Sequence, residues 1–143
     1  MIGLLTWFTS KKDYLTPYTE DEAAKKAATK LWNTIDSMDI ILFIVMFMLT
    51  ILIALWYYFP YNQRPGKHYH PKYWWIFGVG AVSFVFASTF GICYFIAKNA
   101  SFDYTFLIKV SAVNALYAIL VYFILSLFIN KSGKSNAYPY IRF

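Results

Sequence analysis

The 143-residue sequence predicts an all-α integral membrane protein, with three transmembrane helices preceded by an N-terminal amphipathic helix. Hydrophobic residues make up 59% of the chain and charged residues 14%, against roughly 45–50% and about 25% in soluble domains. The apolar residues are concentrated in three long stretches. Six of the seven acids precede residue 40, so a polar N-terminal third leads into a membrane-embedded remainder.

The first element is an arm over residues 1–38, which we predict to be interfacial or partner-docking. Its opening "MIGLLTWF" is too short to span a membrane and lacks the basic start of a signal peptide. Thr19 and Glu22 have the spacing of a capping box, which predicts a helix over about 19–38. The apolar stripe of this helix is mainly alanine, which favours close approach of a protein surface. We therefore expect partner-docking anchors at Leu31, Trp32 and Ile35; the alternative is a helix at headgroup level that positions the first span.

The next elements are three membrane spans over about 40–59, 73–97 and 104–129, within a domain of residues 39–130. Each has the roughly 20 apolar residues that a membrane-crossing helix needs. Pro60 is expected to stop the first span. A polar-aromatic tail follows over 131–143, and its Tyr138, Tyr140 and Phe143 suggest either docking on a partner or a plain disordered end.

The loop "NQRPGKHYHPKYWW" (62–75) is basic and ends in aromatic residues. Tryptophan and tyrosine concentrate at membrane interfaces, and cations there face lipid phosphates. The rival interpretations are a loop that contacts a partner and a metal site at His68 and His70, but zinc normally takes three or four protein ligands. Lys109, near the start of the third span, can reach the interface with its long side chain, or could form a buried pair between subunits. The predicted lipid-headgroup residues are Arg64, Lys67, Lys72, Trp74, Trp75 and Lys109.

Small residues within the second and third spans predict how these helices pack. Such residues let helix backbones approach closely in lipid, and polar side chains there hydrogen-bond across helices. We expect an antiparallel hairpin through these faces, with Asn114 bonding across it. The predicted packing residues are Gly80, Ser83, Ala87 and Gly91 on the second span, and Ser111, Asn114, Ala115 and Ala118 on the third.

The sequence contains no nucleophile–histidine–acid set and no glycine-rich phosphate loop, so we predict a protein that is not an enzyme. The net charge of +6 forms no continuous basic stripe, which argues against nucleic acid as a partner. We expect no cofactor beyond bound phospholipid. Our hypothesis is a small membrane subunit that anchors or supports a larger assembly, with other subunits and anionic lipids as partners. The alternatives are a homo-oligomeric pore-forming protein or effector, and a membrane enzyme with an interfacial His68/His70 site.

The assembly could be a respiratory or energy-converting complex, or an envelope secretion or contractile-injection machine. Its membrane would then be the bacterial or mitochondrial inner membrane. Six Lys and Arg residues near span ends fall on the side of the first loop and C-terminus, against four on the other side. Because basic loops stay inside, the first loop and C-terminus are predicted on the cytoplasmic or matrix side.

Overall fold

The computed structural model describes residues 9–61, 71–98 and 103–131. Of these residues 93% are helical, and none of them lies in a strand. The helices are α1 (Lys11–Leu15), α2 (Glu22–Ser37), α3 (Asp39–Trp56), α4 (Pro71–Ala97) and α5 (Tyr104–Lys131). A 3₁₀ turn over Thr16–Tyr18 joins α1 to α2, and a π-helical turn over Tyr57–Tyr61 extends α3.

Three of the helical segments are long and apolar enough to cross a membrane: Asp39–Tyr61, Lys72–Ala97 and Tyr104–Ile129. This confirms the prediction of three apolar spans by length and composition. Less than a third of each is buried within the chain. Large apolar side chains such as Ile76, Phe95 and Phe128 are therefore exposed, as suits helices surrounded by lipid.

The start of α2 differs from the predicted capping box. The Asp21 carboxylate accepts hydrogen bonds from the backbone N–H groups of Ala23 and Ala24, at 2.8 and 3.2 Å. Thr19 instead donates its hydroxyl to the Thr16 carbonyl oxygen within the preceding turn, at 3.0 Å. The carboxylate carries a full negative charge at the positive end of the helix dipole, so Asp21 is the better cap and α2 begins at Glu22.

The end of the first span also differs from its predicted boundary. The π-helical turn carries the helix through Pro60 to Tyr61. A proline has no N–H group, and its ring conflicts with the carbonyl four residues earlier in an α-helix. The wider turn accommodates Pro60, and Tyr57 and Tyr58 within it are buried.

The chain divides into two compact units. The first unit comprises Met1–Ile44 and Phe86–Asn114. The second unit comprises Val45–Val85 and Ala115–Phe143.

In the first unit, α2 and the start of α3 run beside α5 in the same direction. The Trp32 and Phe106 ring centroids lie 5.5 Å apart, and Asn114 Nδ2 lies 3.3 Å from the Leu42 carbonyl oxygen. Position therefore rises along this segment as it rises along α5.

In the second unit, the start of α4 packs against the end of α5. Trp74 contacts Ser126, and Gly78 lies against Tyr122, so position rises along α4 as it falls along α5. The two helices are antiparallel in this unit. Its core is formed by a cluster of small and aromatic side chains: Ala54, Tyr57, Tyr58, Trp74, Ala81 and Tyr122.

Candidate functional site

Asn114 occupies the junction of three apolar helices in the first unit. It lies on α5 and is completely buried. Its Nδ2 donates to Thr89 Oγ1 on α4 at 2.8 Å and to the Leu42 carbonyl oxygen on α3 at 3.3 Å. Since a carbonyl oxygen only accepts, the amide nitrogen must face Leu42. One side chain thus hydrogen-bonds to both neighbouring helices in a setting where an unpaired donor is costly.

Three buried serine and threonine hydroxyls of the apolar helices bond to their own backbone. Each donates to a carbonyl oxygen four residues earlier at 2.8 Å, which satisfies the hydroxyl hydrogen without a second helix. These residues are Thr50, Ser111 and Ser126.

A closed set of hydrogen bonds joins α4 to α5 in the second unit. Trp74 Nε1 donates to Ser126 Oγ at 3.0 Å, and Ser126 Oγ donates to the Tyr122 carbonyl oxygen at 2.8 Å. The Tyr122 hydroxyl then donates to the Trp74 carbonyl oxygen at 3.3 Å. The Trp74 and Tyr122 ring centroids are 5.4 Å apart. The arrangement fixes the register of the two helices, because each residue bonds to both others.

A second aromatic group ties the arm to α5 in the first unit. The Tyr14 ring lies 4.4 Å from the Phe106 ring and 5.4 Å from the Trp32 ring, measured between centroids. The Tyr18 hydroxyl donates to Asp103 Oδ2 at 3.2 Å. Asp103 Oδ1 also accepts the Phe106 N–H at 3.0 Å and so caps α5. Asp103 therefore both begins a helix and binds the arm.

Burial raises the pKa of the Tyr14 phenol above its ordinary value, and the nearby Asp103 carboxylate raises it further. The pKa of Tyr18 is raised by burial first and then by Asp103. A neighbouring negative charge disfavours a phenolate. Both phenols therefore remain neutral at physiological pH, which Tyr18 requires in order to donate its hydrogen bond.

The predicted partner-docking anchors are buried within the chain. Leu31, Trp32 and Ile35 are 0%, 5% and 2% exposed, because α2 turns its apolar stripe towards the chain itself. Tyr14 and Phe106 stack on the Trp32 ring. The sequence pattern identifies an apolar stripe but not the surface that covers it, and in the structure that surface belongs to the chain itself. The other predicted docking residues, Tyr138, Tyr140 and Phe143, lie outside the described residues.

The predicted packing face of α4 points outward, which corrects its expected contact with α5. Gly80, Ser83, Ala87 and Gly91 are all exposed, and a Cβ built on either glycine meets no atom within 4 Å. A different stripe is buried, at Ala81, Val85, Thr89, Cys93 and Ala97. This stripe lies two residues, or about 200°, around the helix from Ser83, Ala87 and Gly91.

The choice between these two stripes follows from Thr89. Both stripes contain small residues at a spacing of four, so backbone approach does not distinguish them. At the level of Asn114 only the buried stripe offers a hydroxyl acceptor, because the hydroxyl of the exposed stripe, Ser83, lies six residues before Thr89. On α5, the structure buries the predicted residues Ser111, Asn114, Ala115 and Ala118.

The predicted headgroup residues separate into different environments. Trp74 is only 6% exposed, and its indole N–H donates to Ser126 Oγ; its expected place at the membrane surface stays a prediction. Trp75 is 51% exposed, and Lys109 is also exposed. Lys72 is exposed and its ammonium lies 5.2 Å from the Tyr73 ring centroid. Arg64, Lys67 and the candidate metal ligands His68 and His70 lie outside the described residues.

Sequence reasoning missed the Trp74–Ser126–Tyr122 set and the contact between Tyr18 and Asp103. A signal existed for the second, since Asp103 is the one acid after residue 40. Within residues 9–61, 71–98 and 103–131, no group of three or more His, Cys, Asp or Glu side chains could hold a metal ion. Asn114 and the Trp74–Ser126–Tyr122 set join helices to one another.

Comparison with known proteins yields no relative from which a function could be transferred. No family model matches the chain, and no curated protein or solved structure is similar to it.

Proposed function

We propose that this chain is a non-catalytic membrane subunit that anchors or structurally supports a larger multi-protein assembly. The observation that carries the proposal is the use of polar side chains within the apolar helices. Asn114 links three helices, and the Trp74–Ser126–Tyr122 set links two. These groups hold the chain's own helices together and thereby stabilise a module that others can bind.

The outward face of α4 supports contact with another membrane helix. Gly80, Ser83, Ala87 and Gly91 are exposed, and the two glycines have open space beyond them. Small residues allow a second backbone to approach, which is how helices associate in lipid without a hydrophobic driving force. A neighbouring subunit of the assembly is the partner that we propose for this face.

We propose an energy-coupling membrane as the location and a respiratory complex or an envelope secretion or injection machine as the assembly. The first loop and C-terminus would face the cytoplasm or matrix, as their larger number of basic residues favours. Anionic lipids would be further partners.

The pore-forming alternative receives less support from α5. A pore requires a polar stripe on an exposed helix face, whereas Ser111 and Asn114 point into their own chain. The exposed positions of α5 are mostly large and apolar, for example Leu116, Leu120 and Phe128.

The test is purification from the native membrane in mild detergent, followed by native mass measurement. We expect different proteins to co-purify at fixed stoichiometry. Ala87→Leu should remove a partner without preventing membrane insertion, because it fills the exposed face of α4. Ala112→Leu is the matched control, since Ala112 is an exposed alanine on α5. A ring of a single species would favour the pore, and a monomer without partners would contradict the proposal.

A further inference from the structure

The Asn114 amide has one polar atom that bonds to no other part of the protein. Its Nδ2 donates to Thr89 Oγ1 and to the Leu42 carbonyl oxygen. Its Oδ1 is buried and accepts no hydrogen bond from the residues that the structure describes. Asn114 is 0% exposed, so bulk solvent does not reach this oxygen. Because a buried acceptor without a donor is costly, Oδ1 marks a place for a hydrogen-bond donor.

The Thr89 hydroxyl has the opposite deficiency. Its oxygen accepts the bond from Asn114 Nδ2, but its hydrogen is donated to no acceptor within residues 9–61, 71–98 and 103–131. Thr50 and Ser111 differ, since each of them donates to a backbone carbonyl oxygen four residues earlier. The three-helix junction at Asn114 therefore holds one unused acceptor and one unused donor.

These two groups lie close enough for one small molecule to join them. Thr89 Oγ1 is 2.8 Å from Asn114 Nδ2. Standard bond lengths place Oδ1 roughly 2.3 Å from Nδ2 within the amide, so Oγ1 and Oδ1 are at most about 5.1 Å apart. Two O–H···O hydrogen bonds of about 2.8 Å each span up to about 5.6 Å. A single bridging oxygen atom can therefore reach both groups.

The bridging ligand must both accept and donate a hydrogen bond. It accepts from the Thr89 hydroxyl and donates to Asn114 Oδ1. A metal cation cannot accept a hydrogen bond, and a fully ionised anion cannot donate one. The ligand is also small, because Leu42, Thr89 and Asn114 are each no more than 1% exposed. Water meets these conditions, with the two polar partners that a buried water molecule needs.

We propose that the three-helix junction at Asn114 binds one water molecule, which accepts from the Thr89 hydroxyl and donates to Asn114 Oδ1. Thr89, Asn114 and the water molecule then form a closed ring in which each member both donates and accepts. The ring joins α4 to α5, and Nδ2 also bonds to α3 through Leu42. The site belongs to the first unit and depends neither on the proposed function nor on the position of a membrane.

The first experiment uses the full chain in detergent micelles with isotopically labelled asparagine. NMR measures cross-relaxation in the rotating frame between water and the side-chain amide protons, and Asn114→Leu identifies the Asn114 signals by removing them. We expect a cross-peak opposite in sign to the diagonal, which reports a bound water molecule. A peak of the same sign reports hydrogen exchange, and this result or no peak at all would overturn the proposal.

Matched variants test whether the cross-peak depends on the Thr89 hydroxyl. Thr89→Val has nearly the same shape and removes the donor, so the cross-peak should be lost. Thr89→Ser keeps a hydroxyl and should retain the cross-peak. Thr50→Val is the control, because Thr50 is also buried but donates its hydrogen to the Met46 carbonyl oxygen. Persistence of the cross-peak in Thr89→Val, or equal loss in Thr50→Val, would contradict the assignment.

A crystal structure of the full chain is the second measurement, since exchange of the Thr89 hydroxyl proton with solvent could relay a similar NMR signal. It should show density for one oxygen atom within hydrogen-bonding distance of both Thr89 Oγ1 and Asn114 Oδ1. A Thr89 hydroxyl that bonds directly to Oδ1, with no density between them, would overturn the proposal. This measurement needs no substitution, so it decides the question even where a variant fails to fold.

Discussion

The two aromatic clusters of this chain are built from the same residue types and held by different forces. In the first unit, Tyr14, Trp32 and Phe106 pack ring against ring at interplanar angles near 30°, largely outside the apolar helices. In the second unit, Trp74 and Tyr122 are joined by hydrogen bonds as well as ring contact. Tyr14 and Trp32 lie outside the three apolar segments, where packing is favoured because burial removes apolar surface from water.

The second cluster has no such driving force, because lipid tails are as apolar as the protein interior. Packing fit and hydrogen bonds must hold it instead. The difference teaches that an aromatic side chain near the end of a span does not by itself identify a headgroup belt. Trp74 and Trp75 are neighbours in sequence, yet one is buried and the other is half exposed.

The largest expected effect is in the first cluster. Trp32→Ala should cost about 3–5 kcal/mol of local stability, because it leaves a cavity between Tyr14 and Phe106. Amide hydrogen exchange over α1 and α2 would measure the loss. Trp56→Ala, at a site that is 58% exposed, is the control and should leave exchange in the arm unchanged. Unaltered protection in the Trp32 variant would show that this stack does not hold the arm.

A second comparison uses two glycines of α4. Gly78→Leu should destabilise the second unit by about 1–3 kcal/mol, because a Cβ there already lies 3.2 Å from Tyr122 Cε1. The Tyr122 ring is held by its hydrogen bond to Trp74 and cannot move aside without breaking it. Gly91→Leu should be tolerated, since nothing lies within 4 Å of a Cβ at that position.

Denaturation in mixed detergent micelles would measure both glycine variants. A tolerated Gly91→Leu reverses the expectation from sequence, which assigned Gly91 to the packed face. Equal loss of stability in the two variants would restore that original assignment.

A smaller effect tests whether hydrogen bonds hold the second cluster. In a double-mutant cycle, Trp74→Phe and Ser126→Ala should show a coupling of about 0.6 kcal/mol, with an upper range near 1.7 kcal/mol, as for other hydrogen bonds between membrane helices. Trp75→Phe with Ser126→Ala is the matched cycle and should show no coupling. Additive effects in the first cycle would mean that ring packing alone holds the cluster.

The smallest expected effect is the dependence of the arm's stability on pH through Tyr14, which is absent near neutral pH. Its pKa in the folded chain is raised above the ordinary value of 10.0, so the folded state retains a proton that the unfolded state loses. The stability of the arm should therefore be constant below about pH 10 and fall as pH rises further. Tyr14→Phe should flatten this decline. Exchange of α2 amides at several alkaline pH values would measure it, after correction for the intrinsic pH dependence of exchange.

The three apolar helices could be predicted because length and hydropathy are properties of single segments. The buried side of α4 could not, since Ala87 and Thr89 both lie in small-residue stripes and only the partner Asn114 distinguishes them. The sequence identifies the anchor residues of α2 as apolar. It does not identify the residue that packs over them, because Phe106 lies far along the chain. The start of α2 was missed because Thr19 and Asp21 are both acceptable caps, and the preceding turn around Pro17 decides between them.

The bond between Tyr18 and Asp103 also has a consequence for the order in which the protein is made. These residues are 85 positions apart, and the arm emerges from the ribosome first. At about 5–20 residues per second, Asp103 follows Tyr18 by roughly 4–17 s. Throughout that interval the apolar side of α2 has no Phe106 to cover it. The arm is thus synthesised well before the residues that cover it, and its apolar side stays open until the third apolar helix arrives.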